Sequence, residues 1–175
     1  GSLETLREDP RVDLPMAHRM KRFVEALQLR MTRAFDDLDP GASFEVDRWS
    51  RDEGGGGITA VIEGGDVFEK GGVNTSAVHG TLPERMAREF DVEEAPFYAT
   101  GLSLVMHPRS PYVPTVHANF RYFALGDDLM TPVDQWFGGG ADLTPYYPRL
   151  DATQHFHGVW HGMCDRREGD DYAAC

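Results

Sequence analysis

Polar side chains recur at every second position of one apolar segment, and their types suit binding and proton transfer. His117, Asn119 and Arg121 are separated by single residues, Ala118 and Phe120. Residues two apart in an extended strand share a face, so the three polar side chains are predicted to point the same way. Arginine can pair with a carboxylate, asparagine can donate and accept, and histidine can transfer protons near neutral pH.

The preceding apolar segment carries a second such pair, Ser103 and His107, four residues apart and hence also on one strand face. Together, the two segments indicate that residues 101–147 form most of an active site for a carboxylate-bearing substrate. The alternative is an ordinary half-exposed strand, whose outer face is polar because it meets water.

A glycine run, Gly138 to Gly140, precedes Asp142 within the aromatic sequence WFGGGADLTPYY, residues 136–147. Glycines permit a ligand to approach the backbone closely, and aromatic side chains can wall a flat ligand. A partly buried Asp142 needs a partner, either an arginine or a ligand N–H. A glycine bulge followed by a helix-capping aspartate is the alternative.

Two further segments are candidates for ligand contact. Residues 70–80 (KGGVNTSAVHG) are typical of either a ligand-lining loop or a bulged strand. His155, His157 and His161 fall in a predicted helix, where His157 and His161 are four apart and could hold a metal. The HExxH pattern of many zinc helices is absent, so histidines with other partners are the alternative.

The elements that must position these residues follow from periodicity and turn residues. Three- and four-residue spacing, with Phe23 among the apolar positions, predicts a helix over residues 14–38, and shorter helices are predicted over 82–90 and 152–166. Extended segments are predicted over 44–50, 58–63, 67–80, 101–107, 116–125, 135–137 and 141–143, with a glycine turn at 54–57 and a break at Gly71 and Gly72. Hairpin-like strands between helices indicate a single α+β domain with a mainly antiparallel sheet.

Composition excludes several classes of function. A formal net charge of -12 argues against a nucleic-acid partner, and no apolar run is long enough for a membrane span. No signal pattern opens the sequence, so a cytoplasmic location is expected, with Gly1 and Ser2 as a cloning remnant. Cys164 and Cys175 are expected to be free thiols. Fifteen arginines against two lysines leave room for a local anion site.

Four segments in register carry a family resemblance: residues 69–74 (EKGGVN), 103–109 (SLVMHPR), 111–123 (PYVPTVHANFRYF) and 136–146 (WFGGGADLTPY). Over about residues 23–157, the sequence resembles the oxygen-dependent coproporphyrinogen III oxidases. The resemblance implies oxidative decarboxylation of two propionates of coproporphyrinogen III to vinyl groups, giving protoporphyrinogen IX. It also implies dioxygen as co-substrate, no organic cofactor, a homodimer, and a large antiparallel sheet with helices on both faces.

The resemblance also assigns roles to residues. It makes His117 the proton donor and Asp142 a catalytic carboxylate, with Ser103, Asn119 and Arg121 as substrate-binding residues. It implies that His107, His117 and His157 are ligands of a divalent metal cation. On chemical grounds, Asp142 can accept hydrogen bonds from pyrrole N–H groups, and Arg121 can pair with a propionate.

Two departures from the family pattern bear on these expectations. Family members are longer than 175 residues, so residues 1–175 are expected to be the N-terminal portion of a longer domain. Gly158 stands where the family usually has an arginine after the His-x-His pair. The first departure leaves open a catalytically incomplete fragment that binds a tetrapyrrole. A separate alternative is a metal-dependent hydrolase that uses His107, His117, His157 and Asp142.

Overall fold

A computed structural model describes residues 14–89 and 95–165, which form three helices and six strands in chain order. The helices are α1 (Met16–Leu38), α2 (Glu84–Glu89) and α3 (Leu150–Cys164). The strands are β1 (Glu45–Ser50), β2 (Gly55–Glu63), β3 (Phe68–Thr81), β4 (Pro96–Pro108), β5 (Thr115–Leu125) and β6 (Asp134–Thr144). The expected α+β class is confirmed. Gly1, Ser2 and Cys175 lie outside the described residues.

The six strands form one antiparallel sheet in which each strand pairs with its sequence neighbours, in the order β1-β2-β3-β4-β5-β6. Because side chains alternate along each strand, the register divides the sheet into two faces. We call the side that carries Ser103, Asn119 and Arg121 the open face. We call the other side, which carries Leu102, Leu104 and Tyr122, the helix face.

The helix face holds the main core, and α1 packs against it. Leu102, Met106 and Tyr122 on the sheet are almost fully buried, and so are Ala17 and Val24 of α1. The helix was predicted, but its buried stripe runs through Ala17, Met20, Val24 and Gln28. Phe23, which was expected in that stripe, is 40% exposed at its margin.

A buried polar residue fixes α1 against the sheet. Gln28 is 5% exposed, and its Nε2 donates to the backbone oxygens of Ile58 at 2.9 Å and Val73 at 2.7 Å. Its Oε1 accepts from Thr75 Oγ1 at 3.2 Å. A buried amide of this kind is tolerated because its hydrogen bonds are made, and it sets the position of the helix relative to β2 and β3.

A buried carboxylate holds the turn between β2 and β3 to the end of α1. Asp39 is 0% exposed and accepts backbone N–H groups of Asp66 (2.9 Å), Val67 (2.9 Å) and Phe68 (2.8 Å). The N–H of Phe68 contributes most to holding the pKa of Asp39 below its usual range, against the opposing effect of burial. These bonds favour the ionised form, so this turn is stabilised by charge.

The glycine segments correct the expected strand boundaries. Residues 55–57, expected in a turn, belong to β2 and pair with β1, which places the turn at residues 52–54. Strand β3 is continuous through Gly71 and Gly72, and its irregularity lies between Phe68 and Lys70. Strand β6 is likewise continuous through Gly138 to Gly140. Cross-strand backbone hydrogen bonds outweigh the weak strand preference of glycine.

Helices flank both faces of the sheet, as expected. At one end of the open face, Ala87 of α2 packs with Leu82, Ala95 and Leu125 in a second small core, and Phe97 and Phe123 contact it. The C-terminal ends of α2 and α3 were predicted at Phe90 and Arg166, which lie outside the described residues. Within residues 14–89 and 95–165, no helix is long and apolar enough to cross a membrane.

Asp39→Asn is expected to lower the midpoint of thermal unfolding by about 5 to 10 °C, because a neutral amide replaces an acceptor of several N–H groups. The folded pKa of Asp39 lies below the unfolded one, so its stabilisation is present above about pH 5 and is lost as pH falls through the folded pKa. The variant should therefore lose less stability than the parent between about pH 5 and 2.

The matched control is Asp37→Asn, two residues earlier on the exposed side of α1. It should leave the midpoint and its acid dependence unchanged. If Asp39→Asn and Asp37→Asn gave the same unfolding curves across pH, the Asp39 carboxylate would not hold this turn.

Candidate active site

The open face carries a cavity of about 1030 Å³, at the upper end of the range typical for small-molecule sites. Its walls come from all six strands or the residues next to them. The open-face polar and aromatic residues that line it are Trp49, Arg51, Thr59, Asn74, Ser76, Ser103, Asn119, Arg121, Phe123 and Trp136, joined by the glycines of β6. Ser103, Asn119 and Arg121, expected as substrate-binding residues, thus line one cavity.

The pairing register arranges the cavity floor in rows that run across the strands. One row is polar and consists of Thr59, Asn74, Ser103, Asn119 and Gly140, with Asp47 of β1 as the register partner of Thr59 outside the cavity lining. The next row consists of Trp49, Gly57, Ser76, Gly101, Arg121 and Gly138. Half of this second row is glycine, and at Gly101 and Gly138 the floor is bare backbone on which a flat ligand can lie.

The open-face glycines differ in what surrounds them. A side chain at Gly101 would bring its Cβ to 2.6 Å from the backbone oxygen of Phe120, which is too close. A Cβ at Gly138 or Gly140 would meet nothing within 4 Å. Gly101 is therefore required by the packing of β4 on β5, whereas Gly138 and Gly140 leave space above the sheet.

Three predicted site residues offer unused hydrogen-bonding groups to this space. Within residues 14–89 and 95–165, the side chains of Ser103, Asn119 and Arg121 make no hydrogen bond or ion pair with another residue. Arg121 is exposed, and Asn119 is partly buried beside it on the same strand. A hydroxyl, an amide and a guanidinium pointing into one cavity form a binding surface for a carboxylate.

His117 and Asp142 form a hydrogen-bonded pair at one side of this surface. They are register partners on β5 and β6, and His117 Nδ1 lies 2.8 Å from Asp142 Oδ1. Thr144 Oγ1 also donates to Asp142 Oδ1, at 3.1 Å. An ionised carboxylate only accepts, so Nδ1 carries the proton and Nε2 of neutral His117 is left as a proton acceptor. Asp142 lies in a strand, which rules out its alternative role as a helix cap.

His107 lies next to His117, with the two ring centroids 6.2 Å apart and the rings nearly perpendicular. Its Nδ1 is 3.4 Å from Thr115 Oγ1. His157 lies on α3 and lines a separate cleft of about 300 Å³ together with Asp142 and Arg149. His161 pairs with Asp165, Nδ1 to Oδ2, at 2.8 Å.

The structure brings the expected metal ligands near one another without forming a ligand cluster. Among the described residues, no three histidine, cysteine, aspartate or glutamate side chains are placed to hold one ion. His107 and His117 are close, and His117 is engaged by Asp142 through Nδ1. The set His107, His117 and His157 therefore stays a prediction.

Residues 70–80, predicted as a loop or a bulged strand, form part of β3 and line the cavity through Asn74 and Ser76. Sequence reasoning missed Trp49 and Arg51, which line the opposite end of the cavity from β6. Trp49 and Arg51 are two residues apart and therefore share a strand face, but the sequence does not show which face of the sheet this is. Trp136 stacks on Phe123 at 4.6 Å, and Phe123 stacks on Phe97 at 5.5 Å, forming an aromatic wall.

Comparisons with known proteins give consistent matches. Residues 19–175 match the family described as Coproporphyrinogen III oxidase. An oxygen-dependent coproporphyrinogen-III oxidase of Prochlorococcus marinus strain MIT 9313 is 46% identical over 170 residues, which cover 94% of this chain and 46% of that protein.

Animal relatives give a similar result. The oxygen-dependent coproporphyrinogen-III oxidase of Drosophila melanogaster is 45% identical, covering 90% of this chain and 42% of the relative. The mitochondrial enzyme of that name from Rattus norvegicus is 42% identical, and the match covers 95% of this chain and 40% of the relative. The chain thus spans less than half the length of these curated relatives.

The two kinds of open-face glycine are expected to respond differently to substitution. Gly101→Ala should destabilise the fold by about 1 to 3 kcal/mol, because its methyl group collides with the backbone of β5. Gly140→Ala should be neutral or stabilising by up to about 1 kcal/mol, because the methyl group meets open space and restricts the unfolded chain. Urea unfolding of both variants measures the difference. Equal destabilisation would show that the space above β6 is not open.

Proposed function

The chain belongs to the coproporphyrinogen III oxidase family, and from that premise we propose that it takes part in the oxygen-dependent decarboxylation of coproporphyrinogen III. In this reaction, each of two propionic acid groups loses carbon dioxide and two hydrogens to become a vinyl group. Dioxygen takes up the two electrons and two protons and leaves as hydrogen peroxide. The product is protoporphyrinogen IX, and the reaction is a step of porphyrin and heme biosynthesis.

The observation that carries this proposal is the placement of Ser103, Asn119 and Arg121 in one large cavity, beside the His117–Asp142 pair. A propionate is a carboxylate on a short flexible stem, which a guanidinium flanked by an amide and a hydroxyl can bind. The glycine floor at Gly101, Gly138 and Gly140 suits the face of a macrocycle. Few classes of ligand combine a carboxylate with a flat face wide enough to cover this floor.

In the proposed mechanism, the chain's residues position the substrate and move one proton. Arg121 holds the propionate, so the reacting carbon stem lies next to His117. His117 Nε2 then accepts a proton from the substrate, and Asp142 stabilises the resulting imidazolium through Nδ1. His117 can later donate that proton to the reduced oxygen product, which agrees with its expected role as a proton donor.

The oxidising power comes from dioxygen, and the electrons come from the substrate. Reduced pyrroles are rich in electrons, so no organic cofactor is needed in this proposal. In this proposal, Asp142 favours the positive charge that develops on the ring as electrons leave. A divalent cation on His107, His117 and His157 remains a prediction, and so do a homodimer and a cytoplasmic location.

A second candidate function is binding of the tetrapyrrole without turnover. The chain covers 40% to 46% of the length of the relatives compared above, and Trp136, which lines the cavity on the edge strand β6, is 37% exposed. A cavity open at this edge can hold a ligand without excluding water from the reacting groups. Binding and turnover must therefore be measured separately.

The proposed reaction can be tested by supplying coproporphyrinogen III to the 175-residue chain and, in parallel, to the complete product of its reading frame. Protoporphyrin fluorescence after oxidation should rise in air and stay at background under anaerobic conditions. Binding of coproporphyrin by the short chain with turnover by the complete product alone would support the second candidate. Folded protein without either binding or product would contradict both.

His117→Ala and Arg121→Ala are expected to affect different kinetic constants of the active form. Loss of Arg121 should raise KM by about 10- to 100-fold, because it removes a charge-assisted pair made before chemistry. Loss of His117 should lower kcat by about 100- to 10,000-fold with a small change in KM, because proton transfer occurs in the reaction itself.

The control for these variants is Arg48→Ala, which removes an arginine from the helix face of β1 and should leave both constants unchanged. Steady-state assays across substrate concentration separate the constants. If both site variants changed kcat and KM by the same factors, binding and proton transfer would not be divided between these two residues.

A further inference from the structure

The charged side chains that line the cavity are of one sign. Its twenty lining residues include two arginines, Arg51 and Arg121, and no aspartate, glutamate or lysine. The whole chain has a formal net charge of -12, so a cavity lined by cations alone differs from the rest of the molecule. Such a local excess of positive charge favours anionic ligands against the field of the protein.

The two arginines lie toward opposite ends of the cavity. Arg51 continues the face of β1 that carries Trp49, and its backbone N–H bonds to Gly55 O at 2.9 Å. Arg121 lies on β5, four strands away in the sheet order. Four strand spacings put the backbones of β1 and β5 about 19 Å apart. A ligand that meets both arginines is therefore wide, as is a macrocycle with carboxylates on opposite edges.

The guanidinium of Arg51 keeps part of its hydrogen-bonding capacity. Its Nε lies 3.5 Å from Glu53 Oε2, and its side chain is 37% exposed. Among the described residues, its two terminal nitrogens make no hydrogen bond with protein. The contact with Glu53 through Nε alone is long, and an exposed pair of this kind contributes little to stability. Because the contact uses Nε alone, the two terminal nitrogens of Arg51 are available to a carboxylate.

Trp49 supplies the apolar part of the same end of the cavity. Its ring lies over Gly57, where an added Cβ would come within 2.4 Å of the indole. The side chain is 38% exposed, which is unusual for a tryptophan that has a strand surface to cover. An aromatic ring beside an arginine matches the hydrocarbon stem and carboxylate of a propionate.

We propose that Arg51 binds a second carboxylate of the tetrapyrrole, at the end of the cavity away from Arg121, with Trp49 packing against the substituent that carries it. This inference rests on the proposed function, because it takes the macrocycle to be the ligand. It adds a specificity element: the site reads the distance between carboxylates on opposite edges of the ring. Arg121 holds the reacting edge, and Arg51 holds the edge that does not react.

The experiment measures binding of two porphyrins to the 175-residue chain by fluorescence titration. Coproporphyrin III carries four carboxylates distributed around the ring, whereas deuteroporphyrin IX carries two on one edge. Deuteroporphyrin IX keeps only the two carboxylates of the edge that does not react, so Arg51→Gln should weaken binding of both porphyrins by about tenfold. Arg121→Ala should weaken coproporphyrin III and leave deuteroporphyrin IX unchanged. Arg51→Lys should give an intermediate loss for coproporphyrin III.

Arg48→Gln is the matched control, since it removes one cation from the same strand on the opposite face. It should change neither affinity, and thermal unfolding should show that Arg51→Gln and Arg51→Lys are folded. If Arg51→Gln binds both porphyrins as tightly as Arg48→Gln does, or if Arg51→Gln leaves deuteroporphyrin IX unchanged, the inference is wrong and the proposed function stands. If the parent chain binds neither porphyrin, the proposed ligand itself is wrong.

Discussion

Strict alternation of side chains across the sheet is the constraint on which the site depends. Leu102, Leu104 and Tyr122 are buried under α1, and the residues between them must therefore face the other way. A slip of one residue in β4 or β5 would move these apolar groups into water and Ser103 or Asn119 into the core. The hydrophobic core thus fixes the register, and the register in turn places the polar groups of the cavity.

Hydrogen bonds on the helix face hold in place the strands whose other side forms the open face. The helix face is anchored at two points by polar groups with satisfied hydrogen bonds, Gln28 to β2 and β3 and Asp39 to the turn between them. Because contacts on the helix face hold the strands, the open face can carry glycines and unpaired polar side chains without loss of order. A preorganised surface of this kind lowers the cost of positioning a ligand.

Local patterns were sufficient to predict part of this arrangement. The spacing of His117, Asn119 and Arg121 predicted their shared face, and three- and four-residue periodicity predicted α1. The order of helices and hairpin-like strands predicted the α+β class. The family resemblance, which the match over residues 19–175 confirms, supplied the residue roles, and these stay predictions. These features are encoded within single segments, so they can be read without knowing which strands are neighbours.

The remaining features depend on contacts between segments distant in sequence. Glycines at 55–57 and 138–140 were read as turns or interruptions, because their strand pairing is decided by the partner strands. Arg51 is separated from Arg121 by 70 positions, and only the register across β2, β3 and β4 places both on one cavity. The His117–Asp142 bond likewise follows from the pairing of β5 with β6.

The most direct test of the account is a backbone amide NMR titration of the isotopically labelled chain with coproporphyrin III. The account predicts that the largest shift changes fall on open-face residues such as Ser76, Gly101 and Gly138, while Ala17, Val24 and other residues of the α1 interface change little. Changes concentrated on the α1 side, or spread evenly over both faces, would contradict a tetrapyrrole site on the open face.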